Sequence, residues 1–585
     1  MITYTRFRLQ RTMRRYQRTL ARSWGSAGRY IHFNIIGKWR QLAMIRRFTL
    51  GWWIIIAVCA VGLVLQIRTV ASEGMVLQAV PGGTYSEAIV GTVKNINPIL
   101  PEGSAGADAV RLVFSGLTRF DTQGNLEPDI ASSWTVSPDG KTYTFKLRKG
   151  VTWHDGVPLT AQDVLFTLTA IQNPDTRSPL AASWQGVKAT APDDHTVVFT
   201  LPKPYTPFIN ATNVGLLPRH LLENTEPSQL RFSQFNQNPV GTGPFKMQRF
   251  DPGDGSINLK ANPAYYFGRP LIDGFDIRLY DSDEKAFDAY SHRQVLGVAD
   301  LQADEVAKAR KLGTMKLYEA TVPEEAIAFF QMSNPALSDK NVRGALALAT
   351  NRQAIIDNAL GGQATALTSP LFGPRLNLAG APHQPNFNLT KARTQLDAAG
   401  WKLGSDGVRT KGNLRLELEL VTQAGTEYGA VAKQLAEQWG QVGAKLKIQE
   451  VDAMRLQQSY IRTRHYDVLL YGINVGADPD VYAFWDSSQA KDPGLNLSGY
   501  SSSAADKALE TGRTISDPTL RAAKYRAFVQ AFVADTPAVM LYTPTYIYGV
   551  DASVHGINLR RLIYPSDRFN DVEKWSVRVR AVPAQ

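Results

Sequence analysis

Residues 141–151, KTYTFKLRKGV, set Tyr143, Phe145 and Leu147 on one face and Thr144, Lys146 and Arg148 on the other. A period of two with one apolar face predicts a half-buried strand, entered through the turn residues PDGK at 138–141. HTVVFTLPKP at 195–204 predicts another strand, closed by prolines that cannot donate to a ladder. GSINLKANPAYY and IDGFDIRLYDS predict further strands joined by turns. Between them the period changes. Thr160 and Asp163 have capping-box spacing, Val164, Leu165, Leu168 and Ile171 supply an apolar helix face, and Asn173-Pro174 stops it.

The second half is richer in helix. Residues 339–360 predict one helix with Val342, Leu346, Ala349 and Ile356 near a common face, and 389–401 predict another, capped at Gly400. Leu414, Leu416, Leu418 and Leu420 alternate ahead of a helix over 428–439, and AKLKIQEVD follows. Strand, helix, strand implies a parallel pair. YDVLLYG at 466–472 predicts a short buried strand that empties into a Gly/Asp/Pro loop. No repeat at a fixed period and no low-complexity linker occurs. A chain of 585 residues exceeds one ordinary core and predicts two or three lobes.

Residues 50–67, LGWWIIIAVCAVGLVLQI, carry no charge. At helical rise they cover about 27 Å, close to the hydrocarbon thickness of a bilayer. Trp52 and Trp53 fall at the edge where amphipathic rings favour headgroups. The charge distribution changes the reading of the whole chain. Its net charge of +12 arises from twelve Lys/Arg within residues 1–48, where no acid occurs, and the remainder balances at 52 against 52. A basic nucleic-acid face on the main body is therefore not indicated. The same bias predicts a cytoplasmic N-terminus, a transmembrane helix over 49–67 and an exported body, by the positive-inside rule. A cleaved signal peptide is the competing reading, but its basic and apolar regions would both be unusually long. Residues 29–48 read as amphipathic helix on anionic lipid. Cys59 is the only cysteine, so no intrachain disulfide forms; Val58 before it argues against a lipoprotein site.

Candidate chemistry is sparse. His154-Asp155-Gly156 follows a predicted strand, and Asp-Gly is a turn signal. Adjacent His and Asp make no ligand set, and neither HExxH, CxxC, GxSxG, a phosphate loop nor GxGxxG after a strand is present, so no catalytic residue, metal or cofactor is assigned. VGTGPF at 240–245 is expected to mark a backbone crossing between lobes. Asp478 and Asp480 could do glycosidase acid/base work or form turns, and no further partner can be named for the first.

Ordered blocks along the chain resemble the family 5 extracellular solute-binding proteins, the dipeptide, oligopeptide and nickel receptors of ABC importers. They are residues 113–171, 239–280, 328–356, NLTKARTQLDAAGW, and YDVLLYGINVGADPDVYAFWDSS at 466–488. The resemblance spans about residues 76–550. It implies an α/β, two-lobed periplasmic-binding-protein-like fold of type II, in the large peptide-binding subclass with an extra subdomain, here preceded by one transmembrane helix. Lobe I would comprise 76–107, 243–320 and 541–585, the extra subdomain 108–242, and lobe II 321–540, with crossings near 320 and 540. It implies a non-enzymatic receptor that captures peptides and delivers them to an ABC permease and ATPase. A non-peptide solute (oligosaccharide or nickel chelate), a membrane sensor and a glycosidase-like enzyme are the alternatives.

In peptide-binding relatives an acid before the Asp-Pro loop pairs with the peptide amine. Val475 stands at that position here, unless a loop shift lets Asp478 substitute. An unpaired buried ammonium is costly enough to change ligand class. The remaining ligand candidates are Asn474, Asp478, Tyr482 and Trp485 in the loop and Gln331 and Asn334 after AIAFFQM.

Overall fold

The computed structural model describes residues 46–73, 75–371 and 378–583. Its chain divides into two units, residues 1–78 with 579–585, and residues 79–578. In the first unit the apolar run lies within one helix, Arg46–Glu73, and Met75–Ala79 pairs with Val579–Pro583. Trp52 and Trp53 on that helix are exposed. Among the described residues no helix is long and apolar enough to cross a membrane. The basic stretch up to residue 45 lies outside the described residues.

The second unit is built on a twelve-stranded sheet. Lys445–Val451, Glu417–Gln423, Val468–Asn474 and Glu324–Phe330 form one half; Gly297–Val298, Thr84–Val90, Gly274–Tyr280, Ser256–Ala261 and Phe245–Asp251 form the other. The fourteen-residue strand Ala538–Asp551 joins them. Its first part pairs with Glu324–Phe330 and its last part with Met315–Thr321, the strand immediately before it in sequence. Two antiparallel strands thus carry the chain between lobes.

Each half is a separate packing problem. In lobe II the sheet is covered on both faces. Ala328, Phe330, Leu418, Leu420 and Leu470 face one apolar core, and Ile327, Phe329, Val421 and Leu469 face another. Alternate residues of one strand feed opposite cores, as the two-residue period requires. Glu417–Gln423, helix Tyr428–Gly440 and Lys445–Val451 form the expected parallel unit. Leu416, Leu418 and Leu420 are buried, whereas Leu414 is exposed in a small separate strand, Leu414–Arg415. The single helix expected over 339–360 is two, Lys340–Leu348 and Arg352–Leu360. Asn351 divides them: its side chain accepts from the Ala354 N–H, and its own N–H donates to Gln438 at 2.7 Å, away from the helical ladder.

In lobe I the guanidinium of Arg568, wholly buried, lies between Glu87 at 2.5 Å and Asp108 at 2.6 Å. This ties strand Thr84–Val90 and helix Gly103–Val113 to the C-terminal segment. Burial pushes the Asp108 carboxyl up to about 6, against the opposing pull of Arg568. The extra subdomain holds a four-stranded antiparallel sheet in the order Ala131–Val136, Thr142–Leu147, Thr196–Thr200, Lys188–Asp193. Tyr143, Phe145 and Leu147 point inward as predicted, and helix Ala161–Gln172 begins with the Asp163 carboxylate accepting the Thr160 N–H at 2.9 Å.

The His154–Asp155 pair is architecture. The two do not bond each other. His154 Nδ1 accepts from the Gly241 N–H at 3.2 Å, and its Nε2 donates to the Gly243 carbonyl at 3.1 Å, which defines a neutral tautomer. Burial pushes its pKa down to about 4. Asp155 reaches His220 instead, at 2.7 Å. VGTGPF lies away from the two strands that cross between the lobes and packs on the end of helix Gly103–Val113. Gly241 and Gly243 lie against the backbone of Val113, where a Cβ on Gly241 would stand 1.9 Å from the Val113 oxygen.

Candidate functional site

A cleft of about 920 Å³ opens between the lobes beside the two crossing strands. Val322, Pro544 and Thr545, at the crossing itself, line it. Lobe I contributes the start of helix Asp283–Ser291 and the turn leading into helix Ala303–Leu312; lobe II contributes the first residue of Glu324–Phe330 and the N-terminal end of helix Tyr428–Gly440. The acidic stretches thus sit at or beside the ends of regular elements, whereas Tyr542, Pro544, Thr545 and Tyr546 line the cleft from the middle of strand Ala538–Asp551. The volume is within the usual range for sites that enclose a small organic ligand.

The lining is strongly acidic. Asp283, Glu284, Asp300, Asp304 and Glu305 come from lobe I, and Glu324 and Glu427 from lobe II; among the described residues no Lys, Arg or His lines the cavity. Burial, then the neighbouring Glu427 and Asp300, raise Glu324 to about 7. Asp300 is raised to about 6 by burial and then by Asp283, with Arg568 opposing. Asp300 as a residue is exposed, at the cleft. Its backbone is left-handed, φ 53°, a conformation Asp tolerates better than most residues. Asp283 is raised by burial and by Glu305, and Glu427 by burial. A site that raises so many carboxyl pKa values favours either protons or an incoming cation. Among the described residues no group of three or more His, Cys, Asp or Glu is placed to hold a metal ion.

None of the six residues singled out from the sequence lines this cleft. Gln331 and Asn334 follow Phe330, at the other end of the strand that starts at Glu324, about 23 Å away at strand rise. Gln331 donates to the Arg464 carbonyl at 3.2 Å, and Asn334 to Asp467 at 2.6 Å. Trp485 is fully buried in the lobe II core, stacked on Phe329 at 5.5 Å and edge-on to Phe532 at 4.7 Å. Asp478 is committed to Arg521 through two bonds, 2.9 and 2.5 Å. Val475 donates its N–H to the Pro323 carbonyl at 2.9 Å.

Asn474 and Tyr482 lie instead where lobe II meets the rest of the unit. Asn474 Nδ2 approaches the Ile563 carbonyl at 3.4 Å, and Ala477 packs with Phe120 and Ile563. Arg513, paired with Asp480 at 2.9 Å, has its guanidinium 4.0 Å from the Tyr482 ring centre and 4.9 Å from that of Tyr205 in the extra subdomain. The loop expected to grip ligand thus builds the interlobe contact. The acids of the cleft lie far apart in sequence, from Asp283 to Glu427. Only their shared position at element ends connects them, and no sequence spacing encodes that.

The profile of bacterial extracellular solute-binding proteins, family 5, middle region, matches residues 125–494. The oligopeptide-binding protein AppA of Bacillus subtilis is 27% identical over 503 residues, covering 84% of this chain and 91% of its own length. Protein XP55 of Streptomyces lividans is 29% identical over 481 residues, 80% of this chain and 85% of its own. Among solved structures, NikZ of Campylobacter jejuni in complex with Ni(L-His) has a TM-score of 0.72 at 28% identity, covering 84% of this chain and 99% of that one. AppA of B. subtilis in complex with a nonapeptide has a TM-score of 0.71 at 26% identity, covering 85% and 99%. With the profile matching well over half of its length, this chain belongs to the family 5 bacterial extracellular solute-binding proteins.

Proposed function

We propose that this chain is the outward-facing receptor of an ABC importer, closing its lobes on a peptide and presenting it to the permease. The carrying observation is the cleft of about 920 Å³ at the two crossing strands, lined from both lobes. Among the described residues the chain crosses there along Ala538–Asp551 and at the join of Met315–Thr321 and Glu324–Phe330, so rotation about these strands changes the cleft while leaving each lobe's core intact, the hinge-closure mode of bilobal receptors. The likeness to AppA, whose structure holds a nonapeptide, supports a peptide as the solute. Membership of a family of solute-binding receptors supports a binding rather than a catalytic role.

In this reading lobe I is 76–107, 243–320 and 541–585, the extra subdomain 108–242, and lobe II 321–540. Asn474, Asp478, Tyr482, Trp485, Gln331 and Asn334 then serve the receptor by shaping lobe II and its closing face. The apolar run at 49–67 anchors the receptor in the membrane, with the basic segment on the cytoplasmic side. Its uncharged length, flanking tryptophans and one-sided charge support this. Residence of the full chain in the membrane fraction after alkaline washing tests the anchor; release into the wash overturns it.

The functional test is native mass spectrometry of the gently purified receptor, followed by melting with a peptide pool. Bound peptides are expected in the spectra. A ligand at one hundred times its dissociation constant adds about 2.7 kcal/mol to stability. A receptor that retains only an oligosaccharide or a nickel chelate, and ignores the pool, overturns the peptide reading.

A further inference from the structure

We propose that the cleft selects a polycationic ligand, a peptide carrying lysine or arginine side chains beside its terminal amine, held by Asp300 and Asp283 on one lobe and Glu324 and Glu427 on the other. The proposal rests on the peptide-receptor reading and names the class of peptide.

Charge is the first ground. Seven carboxylates line the cavity, and among the described residues no cationic side chain lines it. Lys308 reaches one of them, Glu305, at 3.6 Å, and Arg568 is already held by both Glu87 and Asp108, which leaves the other six without a paired lysine or arginine among the described residues. Lobe closure over an acidic or neutral peptide would strip water from these carboxylates and return no counter-ion, which is costly. Closure over ammonium or guanidinium groups supplies the missing partners with charge-assisted hydrogen bonds.

The division of the acids between lobes is the second ground. Glu324 and Glu427 on lobe II face a field that includes Asp300 on lobe I. Like charges oppose closure of the empty cleft, and a cation between them removes the opposition. A ligand shifts a conformational equilibrium only through its differential affinity for the two states, and this arrangement makes that difference depend on ligand charge.

The third ground is independent of the acids. Tyr546 lines the cleft, is 4% exposed, and its buried hydroxyl has no hydrogen-bond partner. A buried hydroxyl left unpaired is uncommon and costs free energy that a ligand restores. It can accept from a ligand ammonium or donate to a peptide carbonyl. No chelating cluster occurs among the described residues, so the cation indicated is organic rather than a bare metal ion.

The test is titration calorimetry on the full chain with hexapeptides of equal length, lysine-rich, neutral and glutamate-rich, and with spermine as a non-peptide cation. Lysine-rich peptide should bind at least tenfold tighter than neutral peptide, with the advantage shrinking as salt rises. Asp300→Asn and Glu427→Gln should each loosen lysine-rich peptide about tenfold while circular dichroism stays native. Asp406→Asn, an exposed acid outside the cleft, should leave its affinity unchanged. Neutral or glutamate-rich peptides bound as tightly as lysine-rich ones overturn charge selection and leave the peptide reading standing. Spermine bound to the exclusion of every peptide supports charge selection and sinks the peptide reading. Binding of nothing in the panel overturns both.

Discussion

Replacement of Asp478 by alanine separates a ligand group from a structural one. The side chains of Asp478 and Arg521 are 14% and 7% exposed. Alanine removes the carboxylate that both Nη atoms share and leaves the guanidinium without its counter-ion. Deleting one member of a buried pair costs about 3–5 kcal/mol, because the surviving charge stays desolvated. Arg521 retains the Gly512 carbonyl at 3.0 Å and the Tyr525 hydroxyl at 3.3 Å, and Asp478 keeps some solvent. The expected loss is therefore at the low end, about 3 kcal/mol. The double variant Asp478→Ala/Arg521→Met no longer holds a stranded charge and should recover a substantial part of it. Urea unfolding followed by tryptophan fluorescence reads the loss, and calorimetry on the folded variant reads ligand affinity, expected to change less than threefold. Unchanged stability with abolished binding would refute the reasoning and return Asp478 to the ligand.

Trp485→Ala should destabilise lobe II by about 3–5 kcal/mol, measured in the same unfolding assay, since a fully buried ring stacked on Phe329 leaves a large cavity. Arg513→Ala removes the Asp480 ion pair and both ring contacts, so ligand-free receptor should be more open by small-angle scattering; an unchanged profile would show that other contacts hold the lobes. Glu325 is wholly buried in strand Glu324–Phe330, both its oxygens lack partners, and burial holds its carboxyl well above the ordinary range. Its folded pKa exceeds its unfolded one, so the folded state binds the extra proton and stability falls as pH rises above about 4.5. Glu325→Gln should flatten that fall in thermal melts between pH 5 and 8, and an unaltered slope counts against it. Glu324, raised to about 7 by burial and by Glu427 and Asp300, must lose its proton to pair with a cation. Lysine-rich peptide should accordingly bind more tightly as pH rises from 5.5 to 8, and less steeply so in Glu324→Gln.

Local physics was legible wherever one stretch carried the whole signal. The alternation at Tyr143, Phe145 and Leu147, the Thr160–Asp163 cap and the parallel unit around helix Tyr428–Gly440 all followed from residues close in sequence, and the family resemblance from the order of such blocks along the chain. That His154 and Asp155 are architecture was legible too, because a ligand set needs more members than an adjacent pair. The break at Asn351 was not, since it depends on Gln438, more than eighty residues away.

The candidate site shows the same limit more sharply. Polar and aromatic residues in the Asp-Pro loop resemble ligand groups by type, but type does not say which partner a side chain has already taken. Arg521 occupies Asp478, Phe329 and Phe532 enclose Trp485, and Arg513 occupies the ring of Tyr482. Sequence alone determined the kind of fold, the one-sided basic N-terminus and the receptor family, because these rest on periodicity, composition and ordered blocks. Tertiary structure alone decided the chemistry of the cleft. Five acids near residues 283–305 and two at 324 and 427 become one electrostatic site only when two crossing strands bring their element ends together. Charge interaction depends on distance in space, and sequence separation carries no record of it.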